Sequence, residues 1–190
     1  MDQNNVDKWK SVADSVDIGH RRANRIVRTF FRVLSFVKRS EWSGACHATA
    51  AVLTVLLREQ GVSTDLCLGE AAVDGGAFDH SWVEIDGTIF DVAIAMPLDP
   101  NNARPPVFCG IDLETGAKTA LRYGVSSCFA HDAPSKMIRS IPFDMYMSHF
   151  PQHPKGLWGV AADIGESMKM NLSATTLRKR HGAVAWVVRP

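Results

Sequence analysis

The chain has 190 residues, a length typical of a single domain, and its formal net charge at pH 7 is +1. Its composition, 46% hydrophobic and 22% charged residues, is that of a protein with a sizeable core rather than of a disordered one. A net charge so close to zero gives no reason to expect binding to nucleic acid or to a membrane surface.

The cysteines indicate a reduced protein. Cys46, Cys67, Cys109 and Cys128 include no Cys-x-x-Cys pair, and the first residues lack the basic-then-apolar pattern of a signal peptide. The apolar stretches are far shorter than the ~20 residues of a membrane span. We therefore expect a cytoplasmic protein without a membrane span, in which a free thiol stays reduced.

The first third of the chain is predicted to be helical. Residues 6–39 carry a broad apolar face, with a break expected at Asp17-Ile18-Gly19. A second, mostly buried helix is expected over about 44–60. Ser43 is a suitable N-cap for it, and Gly61 can adopt the left-handed conformation that ends a helix.

Three strands are predicted next, over residues 63–69, 79–85 and 88–93. The last two flank Asp86-Gly87, a strong signal for a two-residue hairpin turn. Helices followed by an antiparallel sheet predict an α+β fold.

The rest of the chain gives weaker patterns. Residues 96–106 contain four prolines and are predicted to form a loop. Strands are expected over 121–129 and 183–188, and a short helix over 168–179. We thus expect one domain over 1–190, made of a helical segment (1–39), a catalytic core motif (40–95) and a loop-rich remainder (96–190).

Cys46 is the candidate nucleophile. It falls in the first turn of the predicted second helix, where unpaired N–H groups and the positive end of the helix dipole favour a thiolate. Trp42, Ser43 and Gly44 precede it and are expected to line the substrate cleft. The backbone N–H of Cys46 would help to form an oxyanion hole. No Asn or Gln stands shortly before it as a second donor, and the nearest candidates are Ser43 and Trp42.

The predicted hairpin brings a histidine and an aspartate together. With a two-residue turn at Asp86-Gly87, Ile85 faces Thr88, and the alternation of side chains puts His80 and Asp91 on one face. They are then diagonal neighbours, roughly 5.5–8 Å apart at Cβ. Asp91 would orient the imidazole, and His80 would take the thiol proton and later return it to the leaving group.

These residues resemble the transglutaminase-like superfamily, whose core is papain-related. The likeness covers residues 40–95 and consists of small residues followed by Cys46 at a helix start, a His-x-Trp-x-Glu strand from His80 to Glu84, and Asp91 on the next strand. The short spacings look like those of compact bacterial members and are similar to the leader-peptide peptidases of lasso-peptide pathways. The resemblance implies a papain-like core, with N-terminal helices packed on an antiparallel sheet, that performs acyl chemistry through a thioester.

Each of these residues also has a structural explanation. Cys46 could be a small buried hydrophobe, His80 a hydrogen-bonded strand residue and Asp91 a surface residue, so the catalytic hypothesis depends on their joint placement. Trp82 is interpreted as a cleft wall beside the pair. His47 is expected to point about 100° away from Cys46 around the helix, which would make it a poor base.

No cofactor or metal is expected. Cys128 and His131, with Cys109 as a further ligand, suggest zinc, but structural zinc sites usually have paired ligands and the chain has a single close pair. The arginine-rich segment before Arg39 is interpreted as the solvated face of an amphipathic helix, with docking of an acidic partner as the alternative.

The sequence therefore predicts a cysteine-dependent hydrolase that cleaves a peptide or isopeptide bond in a peptide or protein substrate. Acyl transfer to an amine would use the same three residues. A catalytically inactive binding module of the same fold is the third possibility. The oligomeric state is left open.

Overall fold

The computed structural model describes residues 3–74, 76–126 and 132–190 and has an α+β architecture, as predicted. In this part of the chain, no helix has both the length and the apolar character needed to span a membrane. The described helices are α1 (Gln3–Ser15), α2 (Ala23–Arg39), α3 (Cys46–Glu59), α4 (Ala133–Ser140), α5 (Phe143–Ser148), α6 (Gly156–Ser167) and α7 (Ala174–His181). The described strands are β1 (Asp65–Val73), β2 (Gly76–Ile85), β3 (Thr88–Phe90), β4 (Val107–Phe108), β5 (Ile111–Asp112), β6 (Arg122–Val125) and β7 (Trp186–Val188).

The main sheet is built around β1. Strand β2 pairs antiparallel with one edge of β1, and β3 continues the sheet beyond β2. The other edge of β1 is shared by two short strands. Strand β7 pairs in parallel along Leu66–Leu68, and β6 pairs antiparallel along Glu70–Ala72. The sheet is thus antiparallel except at β7, and β4 and β5 form a separate two-stranded pair.

The hairpin of β2 and β3 has the predicted register. Ile85 pairs with Thr88, and Asp86 and Gly87 have φ values of 49° and 76°. Both turn positions therefore lie in the left-handed region that this kind of two-residue turn requires. Strand β3 ends three residues earlier than predicted, because Asp91 bridges to β4 and the chain then enters a 3₁₀ turn.

Helix α3 occupies the centre of the core. It packs against β1 and β2 on one side and against α2 and α6 on the other. Leu53, Leu56 and Leu57 are almost completely buried, as the sequence predicted for this helix. The same hydrophobic cluster includes residues from α1 and α7, so both halves of the described chain contribute to it.

Part of the arginine-rich face of α2 ties helices together. Arg22 and Arg25 donate to the carbonyls of Gly61 and Gln60, directly after the end of α3, at 2.9 Å in the case of Arg25. Arg28 donates to the carbonyl of Met168, after the end of α6, at 2.6 Å. Positive groups are favoured there because a helix C-terminus is the negative end of its dipole. These guanidinium groups therefore join α2 to two neighbouring helices.

The remainder after residue 96 contains more helix than the sequence indicated. Helices α4, α5 and α6 lie in the remainder that the sequence predicts to be loop-rich, and the helix expected over 168–179 begins later, at Ala174. Helix α6 is buried on several sides and contains Gly156, Gly159 and Gly165, so it lacks an amphipathic pattern and resembles a loop in sequence.

Several helices and strands also have boundaries that differ from the predicted ones. Helix α3 begins at Cys46 with Ala45 as N-cap and without a side-chain cap bond, so Ser43 does not cap it. The strand expected over 121–129 is β6, and residues 127–131 lie outside the described part. The strand expected over 183–188 is β7.

Leu56→Ala is expected to lower the free energy of unfolding by about 2–5 kcal/mol, because it leaves a cavity in the centre of the core. The matched control is Leu98→Ala, since Leu98 is 79% exposed; its expected cost is under about 0.5 kcal/mol. Urea denaturation of both variants measures the difference. Equal losses would contradict the position of α3.

Candidate active site

Cys46 is the first residue of α3 and is partly exposed. The chain enters the helix through Gly44, which has a φ of 66° and donates its N–H to the carbonyl of Met96 at 2.8 Å. Ala45 provides no side-chain cap, and the backbone N–H of Cys46 has no acceptor among the residues that the structure describes. The sulfur is therefore placed beside free donors at the positive end of a helix dipole.

Two imidazoles stabilise the thiolate of Cys46. Burial alone raises the pKa of this thiol, but hydrogen bonds from His47 and His80, together with their charges, lower it to about 6. At neutral pH the sulfur is thus mostly ionised, which is the nucleophilic form.

His80 is held by Asp91. Its Nε2 lies 2.7 Å from Oδ2 of the carboxylate, and both side chains are buried. Burial lowers the pKa of His80, but the charge and hydrogen bond of Asp91, with a contribution from Cys46, raise it to about 10. Because Nε2 is occupied, Nδ1 is the nitrogen left for the sulfur.

The Asp91 carboxylate accepts hydrogen bonds from several parts of the fold. Besides His80, the hydroxyl of Tyr123 on β6 donates to Oδ2 at 2.8 Å. The backbone N–H groups of Ala93 and Ile94 donate to Oδ1 at 3.0 and 3.2 Å. A buried carboxylate is stable only when it is paired and hydrogen-bonded, and these donors fix its orientation.

A cleft of about 870 Å³ opens at these residues, and Cys46 and His80 are in its lining. Gly44 lies on the same wall, where an added Cβ would come within 2.1 Å of Leu98 Cδ1. The lining is mixed in character: it includes the apolar Phe78, Ile94, Met96, Pro97 and Leu98, the acidic Asp74, Asp79, Asp99 and Asp132, and the basic Arg104.

Two of the residues expected to form the cleft lie elsewhere. Trp42 is buried, with its ring 5.1 Å from Phe36 and 5.0 Å from Phe150. Ser43 is exposed and outside the lining, whereas Gly44 belongs to it. The apolar ring of Trp42 thus packs into the core instead of facing substrate.

Trp82 is also not part of the cleft lining. Its indole N–H donates to Glu84 at 2.9 Å, and its ring lies 5.1 Å from that of Tyr123. Tyr123 in turn donates to Asp91, so Trp82 supports the pair of His80 and Asp91 from behind.

His47 also lies in the cleft lining, beside Cys46 in the first turn of α3. It contributes to the lowered pKa of the Cys46 thiol, and its Nδ1 lies 2.7 Å from the hydroxyl of Ser81. Tyr146 is close as well, and burial and the charge of Cys46 raise its pKa.

Sequence reasoning missed three of these contacts for different reasons. The histidine in Cys46-His47 was visible but was assigned by helix angle alone. Tyr123 and Tyr146 stand in segments whose pairing is non-local, and no spacing signal links them to the nucleophile.

Cys67 and Cys109, the other two cysteines in the described part of the chain, are not activated thiols. Burial raises the pKa of Cys67 to about 12 and also raises that of Cys109. Cys128 and His131, the candidate zinc pair, lie outside the described residues. Within the described ranges, no group of three or more His, Cys, Asp or Glu residues could hold a metal ion.

Residues 5–98 match the family model described as Transglutaminase-like superfamily. The matched part runs from α1 through the chain beyond β3, and therefore includes Cys46, His80 and Asp91. Neither the curated proteins nor the solved structures contain a match to the chain.

Iodoacetamide is expected to label Cys46 selectively, because its lowered pKa makes the thiolate predominant above about pH 6. The labelling rate should rise through that pH, reach a plateau above it and fall as the thiol is protonated below it. In His80→Ala the midpoint should move up, towards the ordinary cysteine pKa of about 8.5. Site-resolved mass spectrometry across pH measures both.

Cys46→Ala is the control for the labelling experiment and should lose the fast-reacting site. If all cysteines are labelled at equal rates, or if the midpoint of the pH profile is unchanged in His80→Ala, the imidazole of His80 does not activate the Cys46 thiol.

Proposed function

Residues 5–98 of the chain belong to the transglutaminase-like superfamily, and from this premise we propose that the protein is a cysteine-dependent hydrolase of peptide or isopeptide bonds. The superfamily generally comprises cysteine-dependent enzymes. One observation carries the proposal: a thiol with a lowered pKa lies beside an imidazole that is 2.7 Å from a buried carboxylate, and thiol and imidazole open into one cleft.

In the acylation step, the thiolate of Cys46 attacks the carbonyl carbon, and the π electrons move to the oxygen. The backbone N–H of Cys46 donates to the oxyanion that forms. The imidazolium of His80 then gives its proton to the leaving nitrogen as the C–N bond breaks. The products are an amine and a thioester on Cys46.

Deacylation reverses the roles. His80, now neutral, takes a proton from water, whose oxygen attacks the thioester carbon. Collapse of the second tetrahedral intermediate breaks the C–S bond, releases a carboxylic acid and restores the thiolate, and the imidazolium remains paired with Asp91. The raised pKa of His80 supports its role as acceptor of this proton.

The size of the cleft supports a peptide substrate. A volume of about 870 Å³ lies within the ~300–1,000 Å³ typical of ligand pockets and is enough for a short stretch of chain. The mixture of apolar and charged lining residues suits side chains of both kinds.

Acyl transfer to an amine is the second candidate function, and membership of the superfamily favours it as well. Water and an amine would attack the same thioester, so the acceptor distinguishes the two reactions. A catalytically inactive binding module is the third, and it requires no activated thiol.

Incubation with a random peptide mixture in H₂¹⁸O tests the proposal. We expect new carboxyl termini carrying ¹⁸O, produced by the wild type and lost in Cys46→Ala. In the presence of added methylamine, a methylamide product instead of the ¹⁸O-acid would identify a transferase. Absence of both products, in a protein that also shows no selective thiol labelling, would identify a binding module.

Asp91→Asn is expected to lower the rate of acylation by 4-nitrophenyl acetate on the order of 10²- to 10⁴-fold, the contribution of a positioned acid–base group. The amide cannot stabilise the imidazolium of His80 as the carboxylate does. Asp86→Asn is the matched control: Asp86 is exposed at the hairpin turn and has a positive φ that Asn tolerates. Stopped-flow detection of 4-nitrophenolate gives both rates, and equal rates would remove Asp91 from the mechanism.

A further inference from the structure

The acylation mechanism has one backbone donor for the oxyanion, and the structure contains a second polar group beside it. His47 follows Cys46 in the first turn of α3 and belongs to the lining of the same cleft. His47 as a whole residue is 9% exposed. It is therefore a nearly buried polar side chain in the wall from which the nucleophile acts.

Ser81 on β2 fixes the orientation of this imidazole. Its hydroxyl lies 2.7 Å from Nδ1 of His47 and is completely buried. Among the described residues, the Ser81 hydroxyl has no second hydrogen-bond partner. If it accepted a proton from Nδ1, its own O–H would be buried without an acceptor, at a cost of about 1–3 kcal/mol.

The favourable arrangement is thus an O–H of Ser81 that donates to Nδ1. The proton of a neutral imidazole then lies on Nε2, which becomes a fixed N–H donor. An N–H donor at this position suits the neighbouring thiolate of Cys46, because a thiolate accepts hydrogen bonds and does not donate them.

The two histidines differ in their partners. His80 faces the carboxylate of Asp91, which stabilises an imidazolium and suits a proton carrier. His47 faces a hydroxyl, and none of the ion pairs formed by the described residues involves it. Its partner therefore suits a hydrogen-bond donor, whereas the partner of His80 suits a proton carrier.

We infer that His47, held as its Nε2–H tautomer by Ser81, is the second oxyanion-hole donor of the Cys46 site. This inference rests on the proposed function, since it needs an acyl substrate. It assigns the Nε2–H of His47 and the backbone N–H of Cys46 to the same developing oxygen charge, at the positive end of the α3 dipole.

Two reagents separate this role from activation of the thiol. Acylation by 4-nitrophenyl acetate passes through a tetrahedral oxyanion, whereas alkylation by iodoacetamide displaces iodide and forms none. Both rates at Cys46 are measured across pH, and the plateau values, where the thiol is fully ionised, are compared between variants. A change in the thiol pKa then shifts the midpoint of the pH profile and leaves the comparison of plateau rates unaffected.

In His47→Leu, the plateau rate of acylation should fall by about 10²-fold, the lower end of the effect of one oxyanion-hole donor. The plateau rate of alkylation should stay at the wild-type value. His47→Gln keeps an N–H donor and should recover part of the loss. Ser81→Ala removes the hydroxyl that fixes the tautomer of His47. It should lower the plateau rate of acylation by less than His47→Leu does and leave that of alkylation unchanged.

Thr49→Val is the control for disturbance of α3. Thr49 lies in the same helix, and its buried hydroxyl has no partner in the described structure. The change to valine keeps its shape, so both plateau rates should equal those of the wild type. Circular dichroism shows whether each variant is folded, and His47→Gln and Ser81→Ala carry the test if His47→Leu is not.

The inference is overturned if acylation and alkylation plateaus fall by the same factor, since His47 would then act on the thiolate or on the fold. It is overturned too if His47→Gln is as slow as His47→Leu and one limb of the pH profile disappears, which is the behaviour of a proton carrier. A wild type in which Cys46 is neither acylated nor selectively alkylated refutes the proposed function itself.

Discussion

The buried carboxylate of Asp91 is the constraint on which the site depends. An ionised group at this depth must be paired and hydrogen-bonded, and its donors come from β2, from β6 and from the backbone that follows β3. This explains why β3 is short. A longer strand would use the N–H groups of Ala93 and Ile94 in the sheet ladder, whereas the 3₁₀ turn directs them to the carboxylate.

Asp91 affects the ionisation of the Cys46 sulfur through His80. A carboxylate at 2.7 Å keeps the imidazole protonated, and the imidazolium in turn favours the thiolate. Two groups coupled in this way titrate as a pair, so the values of about 6 and about 10 bound the pH range in which the ion pair persists. Neutral pH lies inside that range.

The sequence predicted those contacts of the site that form between residues close together along the chain, and it missed those between distant residues. The pairing of His80 with Asp91 follows from the turn at Asp86-Gly87, which sets the register within a dozen residues. Tyr123 could not be placed, because β6 joins β1 across a large loop and no local signal encodes that register. Helix α6 was missed for another reason: burial on several sides leaves no amphipathic period to detect.

The contact between the start of α3 and strand β2 positions the imidazoles of both His47 and His80. His80 and Ser81 are consecutive in β2 and therefore point to opposite faces, and Cys46 and His47 are consecutive in α3. His80 and His47 both lower the pKa of the Cys46 thiol, and Ser81 is hydrogen-bonded to His47. A shift of β2 by one residue would exchange the two faces and would separate both His80 from Asp91 and Ser81 from His47. The close packing of Val83 in the core beneath the site opposes such a shift, so the hydrophobic core and the chemistry specify the same register.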